Sequence, residues 1–169
     1  MGKKSVKENK NIYQLSREEQ GFTREQASEA IGFMSDSRIE KIESEKSYPQ
    51  PDEILAMAEV YKKPSLSNYY CSHECPIGRE NVPEIKSSSL SEIVLAMLAE
   101  LNSFNKIRDR LIDITADGKI SDDELPDFLK IQEELDGIAL TIDSLNLWIK
   151  ETVSSGIIDK EKINRLKSI

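Results

Sequence analysis

Seven apolar residues, Phe128, Ile131, Leu135, Ile138, Ile142, Leu145 and Ile149, recur in alternating steps of three and four. A row this long is one face of a helix, and an apolar face of that extent must pack against another helix. Upstream, Leu90, Val94, Met97, Leu101 and Phe104 keep the same spacing, and Leu111 rejoins the row after Arg108 interrupts it. Two long helices therefore form a hairpin. A short third helix is expected after Gly156, with Asp159 as its N-cap and Ile163 and Leu166 on its buried side. The seam has two readings at this level: intramolecular core, or in part a homodimer contact.

The first half has a different texture. Gly21, Gly32, Pro49, Pro51 and Pro64 break residues 10–70 often enough to leave only short helices, and no segment reads as a strand. Between the halves, Tyr69–Ser89 holds Pro76, Gly78, Pro83, two cysteines and the run Ser87, Ser88, Ser89, the composition of a partly ordered linker. The expected fold is all-α: an N-terminal helix-turn-helix bundle of four or five short helices, then a long helical hairpin with a short third helix. The expected domains are a basic arm at 1–10, a bundle at 11–68, a linker at 69–89 and a helical domain at 90–169.

Within the first half, Thr23–Glu43 has the parts of a helix-turn-helix. Thr23 is a natural N-cap for a helix over 24–31, Gly32 can end it in a left-handed conformation, and Ser35 can cap a second helix over 36–43. Ala27 and Ser28 are small where two helices approach closely, and Ile31, Ile39 and Ile42 fill the space between them.

These residues carry a resemblance. Arg17-Glu18-Glu19-Gln20-Gly21-Phe22-Thr23-Arg24-Glu25-Gln26 is followed by Gly32, Ser35, Ile39 and Ile42-Glu43. Tyr48-Pro49 then leads to Ile54-Leu55-Ala56-Met57-Ala58. Over about residues 11–66 this order resembles the Xre (Cro/CI-type) family of helix-turn-helix regulators. The turn Gly32-Phe33-Met34-Ser35 is one residue longer than usual there, Ser16 precedes the arginine, and Ala27-Ser28 stands for the usual Leu-Ala.

The resemblance implies sequence-specific binding to double-stranded DNA. It places Ser35, Asp36, Ser37, Arg38 and Lys41 at recognition-helix positions, Arg24 on a phosphate, and Lys46 on the DNA backbone after that helix. Lys3, Lys4, Lys7 and Lys10 would track DNA outside the domain. Glu43 takes a structural role, and Glu40 can pair with a nearby lysine.

Charge pulls the other way. The chain of 169 residues carries 31 acids against 23 bases, a net −8, and residues 11–70 hold seven bases against eleven acids, a net −4. That balance is the opposite of a phosphate-neutralising footprint. A DNA binder then needs a positive face built from Arg24, Arg38, Lys41 and Lys46. A protein-interaction adaptor, working through the acidic second half, would have those bases neutralised by adjacent acids.

Two smaller patterns suggest metals, as a third, sensor-like class. Cys71, His73 and Cys75 fall within five residues, and thiolate and imidazole suit zinc, although a closed site needs four ligands. Packing cysteines or a redox pair are the alternatives. Asp113, Thr115, Asp117, Gly118 and Glu124 match the register of an EF-hand calcium loop. The same letters also write a hairpin, with Asp117-Gly118 ending one helix and the Ser121-x-x-Glu124 capping box beginning the next. No cofactor is expected otherwise. No nucleophile elbow, P-loop, dinucleotide fingerprint or metalloprotease helix occurs, so no enzyme is expected. With no apolar run near the roughly 18 to 20 residues of a membrane span, no membrane partner and a cytoplasmic location are expected.

Overall fold

The computed structural model describes residues 10–167, and among these there are helices and no strand. In the bundle these are α1 (Ile12–Glu19), α2 (Arg24–Ile31), α3 (Asp36–Glu43), α4 (Pro51–Val60), α5 (Ser65–Tyr69), a π-helical turn (Tyr70–Glu74) and α6 (Pro76–Asn81). Beyond them lie α7 (Leu90–Thr115), α8 (Leu125–Ser154) and α9 (Lys160–Lys167). Contacts divide the described chain into two units, 10–84 with 150–167, and 85–149. None of the helices is long and apolar enough to cross a membrane.

Local chemistry sets the helix ends in the first unit. The Asn11 side chain accepts from the Gln14 N–H at 3.0 Å to start α1. Thr23 and Gln26 form a reciprocal capping box on α2, and Ser35 accepts from the Arg38 N–H on α3. Gly32 ends α2 at φ 85°, in the left-handed region where a side chain is strained. The longer turn that follows is closed by the Ser28 hydroxyl, which donates to the Met34 carbonyl at 2.6 Å. Ser16 is buried and donates to the Ile12 carbonyl, so neither polar substitution leaves an orphaned group.

These helices enclose one core. Tyr13, Ala27, Met34, Ile39, Ile42, Ile54, Met57, Tyr61 and Leu66 are all buried in it. α2 packs on α3 and on α4, α1 on α3, and α4 on α5. Where the sequence reads as linker, α5 runs on through the π turn, against which α6 packs. A β-carbon at Gly78 would collide with the Cys71 carbonyl, so this close approach requires glycine.

In the second unit, two contacts fix the pairing of α7 with α8. The Arg110 guanidinium meets Asp127 at 2.7 Å, and the Glu100 carboxylate lies over Gly137, 2.8 Å from where a β-carbon would stand. As the number rises on one helix it falls equally on the other, so the helices run antiparallel as a hairpin. The long apolar rows divide between two faces. Ile93, Ile114 and Ile131 are buried, with Met97, Phe104, Leu111, Phe128, Ile138 and Leu145 partly so. By contrast, Leu90, Val94, Leu98 and Leu101 on α7, and Leu135, Ile142 and Ile149 on α8, stand between 37% and 53% exposed.

After Gly156, Asp159 accepts from the Glu161 N–H at 2.9 Å and α9 begins. Ile163 is partly buried as expected, but Leu166 is 71% exposed. Leu166 lies on the same face as Ile163 but in the last turn of α9, where the buried stripe has ended.

Candidate nucleic-acid interface

One buried carboxylate ties three helices of the bundle together. Glu43, at the end of α3, accepts from Arg17 Nε at 2.6 Å and from Arg17 Nη2 at 2.9 Å. Arg24 of α2 donates to the same carboxylate from Nε at 2.8 Å. The third arm of Arg17, Nη1, reaches the Phe22 carbonyl at 2.6 Å, holding the turn between α1 and α2. With both oxygens engaged by charged donors, burial of Glu43 is compensated, and the angle between α2 and α3 is held.

α3 presents its outer face to solvent. Ser35, Asp36, Ser37, Glu40 and Lys41 are exposed, while Ile39 and Ile42 point into the core. The Asp36 carboxylate accepts from the Ser37 N–H at 2.7 Å, tightening the first turn. Among the described residues, neither Glu40 nor Lys41 makes an ion pair, so the pairing expected for Glu40 does not form. Lys46 is exposed just beyond the helix. Lys10 is tied to Glu18 at 2.6 Å, and Lys3, Lys4 and Lys7 lie outside the described residues.

Arg38 departs from the expectation of a base-reading arm. Its guanidinium grips Glu53 with Nε and Nη2, both at 2.7 Å, and also donates to the Ser47 hydroxyl at 2.6 Å and the Tyr48 carbonyl at 2.9 Å. Glu53 in turn accepts from the Gln50 N–H at 2.7 Å, at the start of α4. Arg38 is thus a clamp between α3, the 47–48 loop and α4. Hydrogen bonding from Arg38 holds the Glu53 carboxyl below its ordinary range despite partial burial, and the same bonds raise the Arg38 pKa.

The four bases proposed for a positive face therefore divide. Arg38 is neutralised by Glu53. Arg24 shares Glu43 through Nε, with its side chain 36% exposed and no second partner for its terminal nitrogens among the described residues. Among the described residues, Lys41 and Lys46 make no ion pair.

Neither metal pattern is assembled. His73 stacks on Tyr69 with ring centroids 4.5 Å apart, and its Nδ1 lies 3.2 Å from the Tyr69 carbonyl. Cys75 caps α6, its Sγ accepting from the Gly78 N–H, and both cysteines are free. At the calcium-like loop, Thr115 belongs to α7 and donates back to the Leu111 carbonyl at 2.8 Å. Asp117 accepts from the Lys119 N–H, and Glu124 from both the backbone and the hydroxyl of Ser121. These oxygens are taken by the turn that leads into α8: the Ser121 hydroxyl donates to Glu124 instead of accepting from its N–H, so only the Glu124 half of the expected capping box forms. Among the described residues no three His, Cys, Asp or Glu side chains converge as metal ligands would.

The Glu43 and Glu53 clamps join residues 26 and 15 positions apart. Only the family pattern pointed to the first, and no local signal marks the second. Residues 15–66, which contain most of α1, all of α2 to α4 and both clamps, match the family described as Helix-turn-helix. No curated protein and no solved structure matches the chain.

Proposed function

From the premise that residues 15–66 are a helix-turn-helix domain of the Xre (Cro/CI) type, we propose that this protein is a sequence-specific DNA-binding transcriptional regulator acting in the cytoplasm. The observation that carries the reading is the exposed outer face of α3, whose angle to α1 and α2 is held through Glu43 while the side chains of Ser37 and Lys41 have no partner among the described residues. α3 docks in the major groove, with Ser35, Asp36 and Ser37 facing base edges. Arg24, through its terminal nitrogens, and Lys41 and Lys46 meet phosphates. Arg38 supports this surface from behind. Such a domain reads two half-sites when dimeric, and the exposed apolar face of α7 and α8 supplies a surface for pairing two copies.

A second reading rests on the two neutralised arginines: a protein-interaction adaptor with a structural helix-turn-helix, working through the acidic hairpin. Binding of the purified protein to genomic fragments that include its own upstream region, at low and moderate salt, separates the two. Regulation predicts selective binding that weakens with salt, falls in Lys41→Ala and loses selectivity in Ser37→Ala. Absence of binding at both salts by a folded protein selects the adaptor.

A further inference from the structure

The turn between α2 and α3 carries an exposed aromatic ring. Phe33 is 61% exposed, while its neighbour Met34 is 3% exposed in the core. Both flanks of Phe33 are fixed. Gly32 leaves α2 at φ 85°, and the Ser28 hydroxyl donates to the Met34 carbonyl at 2.6 Å. Ser35 then caps α3, accepting from the Arg38 N–H at 3.2 Å. In this turn, one residue longer than usual in the family, the chain buries Met34 and turns Phe33 outward.

Position gives the ring its significance. Two peptide units separate Phe33 from Ser35, so their Cα atoms lie within about 7.6 Å of one another. The ring therefore stands at the end of α3 that presents Ser35, Asp36 and Ser37 to solvent. A phenyl group neither donates nor accepts, so it cannot read a base edge by conventional hydrogen bonds. Among the bases, the methyl group displayed in the major groove belongs to thymine, and an apolar side chain such as Phe suits it. Charge favours such a contact. Residues 11–70 carry a net −4, and a domain of that charge draws little affinity from phosphates, which leaves a larger share to base contacts.

Building on the reading that α3 docks in the major groove, we propose that Phe33 is a specificity-determining residue whose ring packs on the 5-methyl group of one thymine in each half-site. Ring and methyl leave water together, which supplies the hydrophobic gain of a buried methyl. Cytosine at that position offers no methyl, and deoxyuridine differs from thymidine by that group alone. The ring is presented without ordering the turn on binding, since Gly32, Ser28 and Ser35 already hold it.

The test uses the full chain and the short duplex that it selects from genomic fragments including its own upstream region, with each thymine replaced singly by deoxyuridine. Affinity is read by fluorescence anisotropy at fixed salt. Wild type is expected to lose about three- to fivefold in affinity at one thymine per half-site, the worth of one buried methyl. Phe33→Ala is expected to bind the thymine and uracil duplexes alike. Leu55→Ala, which trims an exposed apolar side chain on α4, keeps the discrimination. Selective wild-type binding in which no thymine is sensitive to loss of its methyl overturns this proposal and leaves the regulator reading intact. Discrimination that survives in Phe33→Ala, or is lost equally in Leu55→Ala, does the same. Absence of selective binding by the folded wild type overturns both.

Discussion

Glu45 follows α3 with φ 59°, in the left-handed region where an L side chain is strained and glycine is at ease. Its replacement by glycine is therefore expected to raise stability, by about 1 kcal/mol in urea denaturation. Arg38 behaves oppositely. Arg38→Ala leaves Glu53, only 9% exposed, without its bidentate partner, and the urea midpoint should fall by the equivalent of about 2 kcal/mol. The pH dependence follows from the same pair. Glu53 is held below its ordinary pKa, so its contribution is present above the unfolded carboxyl value near ~4.3 and is lost as pH falls through the folded one. Glu53→Gln should flatten the loss of stability between about pH 5 and 3, measured as urea midpoints. Neither clamp is a local pattern: Arg38 and Glu53 meet because α3 and α4 both pack on α2. The caps Thr23 and Ser35, by contrast, act over three residues and were legible as letters.

Elements begin and end where those letters say. α2 and α3 occupy the spans that their caps and Gly32 predict, whereas the π turn and α6 occupy residues whose prolines and serines read as linker. That difference is tertiary: the segment is held by packing α6 onto the π turn at Gly78, a contact no propensity announces. Ser121→Ala, which removes the hydroxyl that donates to Glu124 ahead of α8, should destabilise the hairpin by about 1 kcal/mol. Added calcium should leave the wild-type melting temperature unchanged, because the oxygens of Asp117, Thr115 and Glu124 serve helix ends. A rise with calcium would return the loop to the metal reading.

Over the whole molecule, the hairpin's uncovered row leads to an assembly prediction. Leu101→Glu with Ile142→Glu, both on exposed positions, should leave the helical content intact and convert a dimer to a monomer in sedimentation equilibrium. An unaltered mass would show that this face does not pair the chain. In DNA binding, Lys41→Ala should reduce the slope of log affinity against log salt by about one, as expected for one lost phosphate contact. The sequence by itself determined the helical class, the helix-turn-helix and its caps, and the hairpin, because each depends on spacing within a few residues along the chain. Tertiary structure alone decided that Arg38 clamps Glu53, that the apolar rows are only half covered, and that Tyr13 meets Glu74. Those outcomes depend on which surfaces meet when helices pack, and charge, burial and unsatisfied hydrogen bonds acquire their values only there.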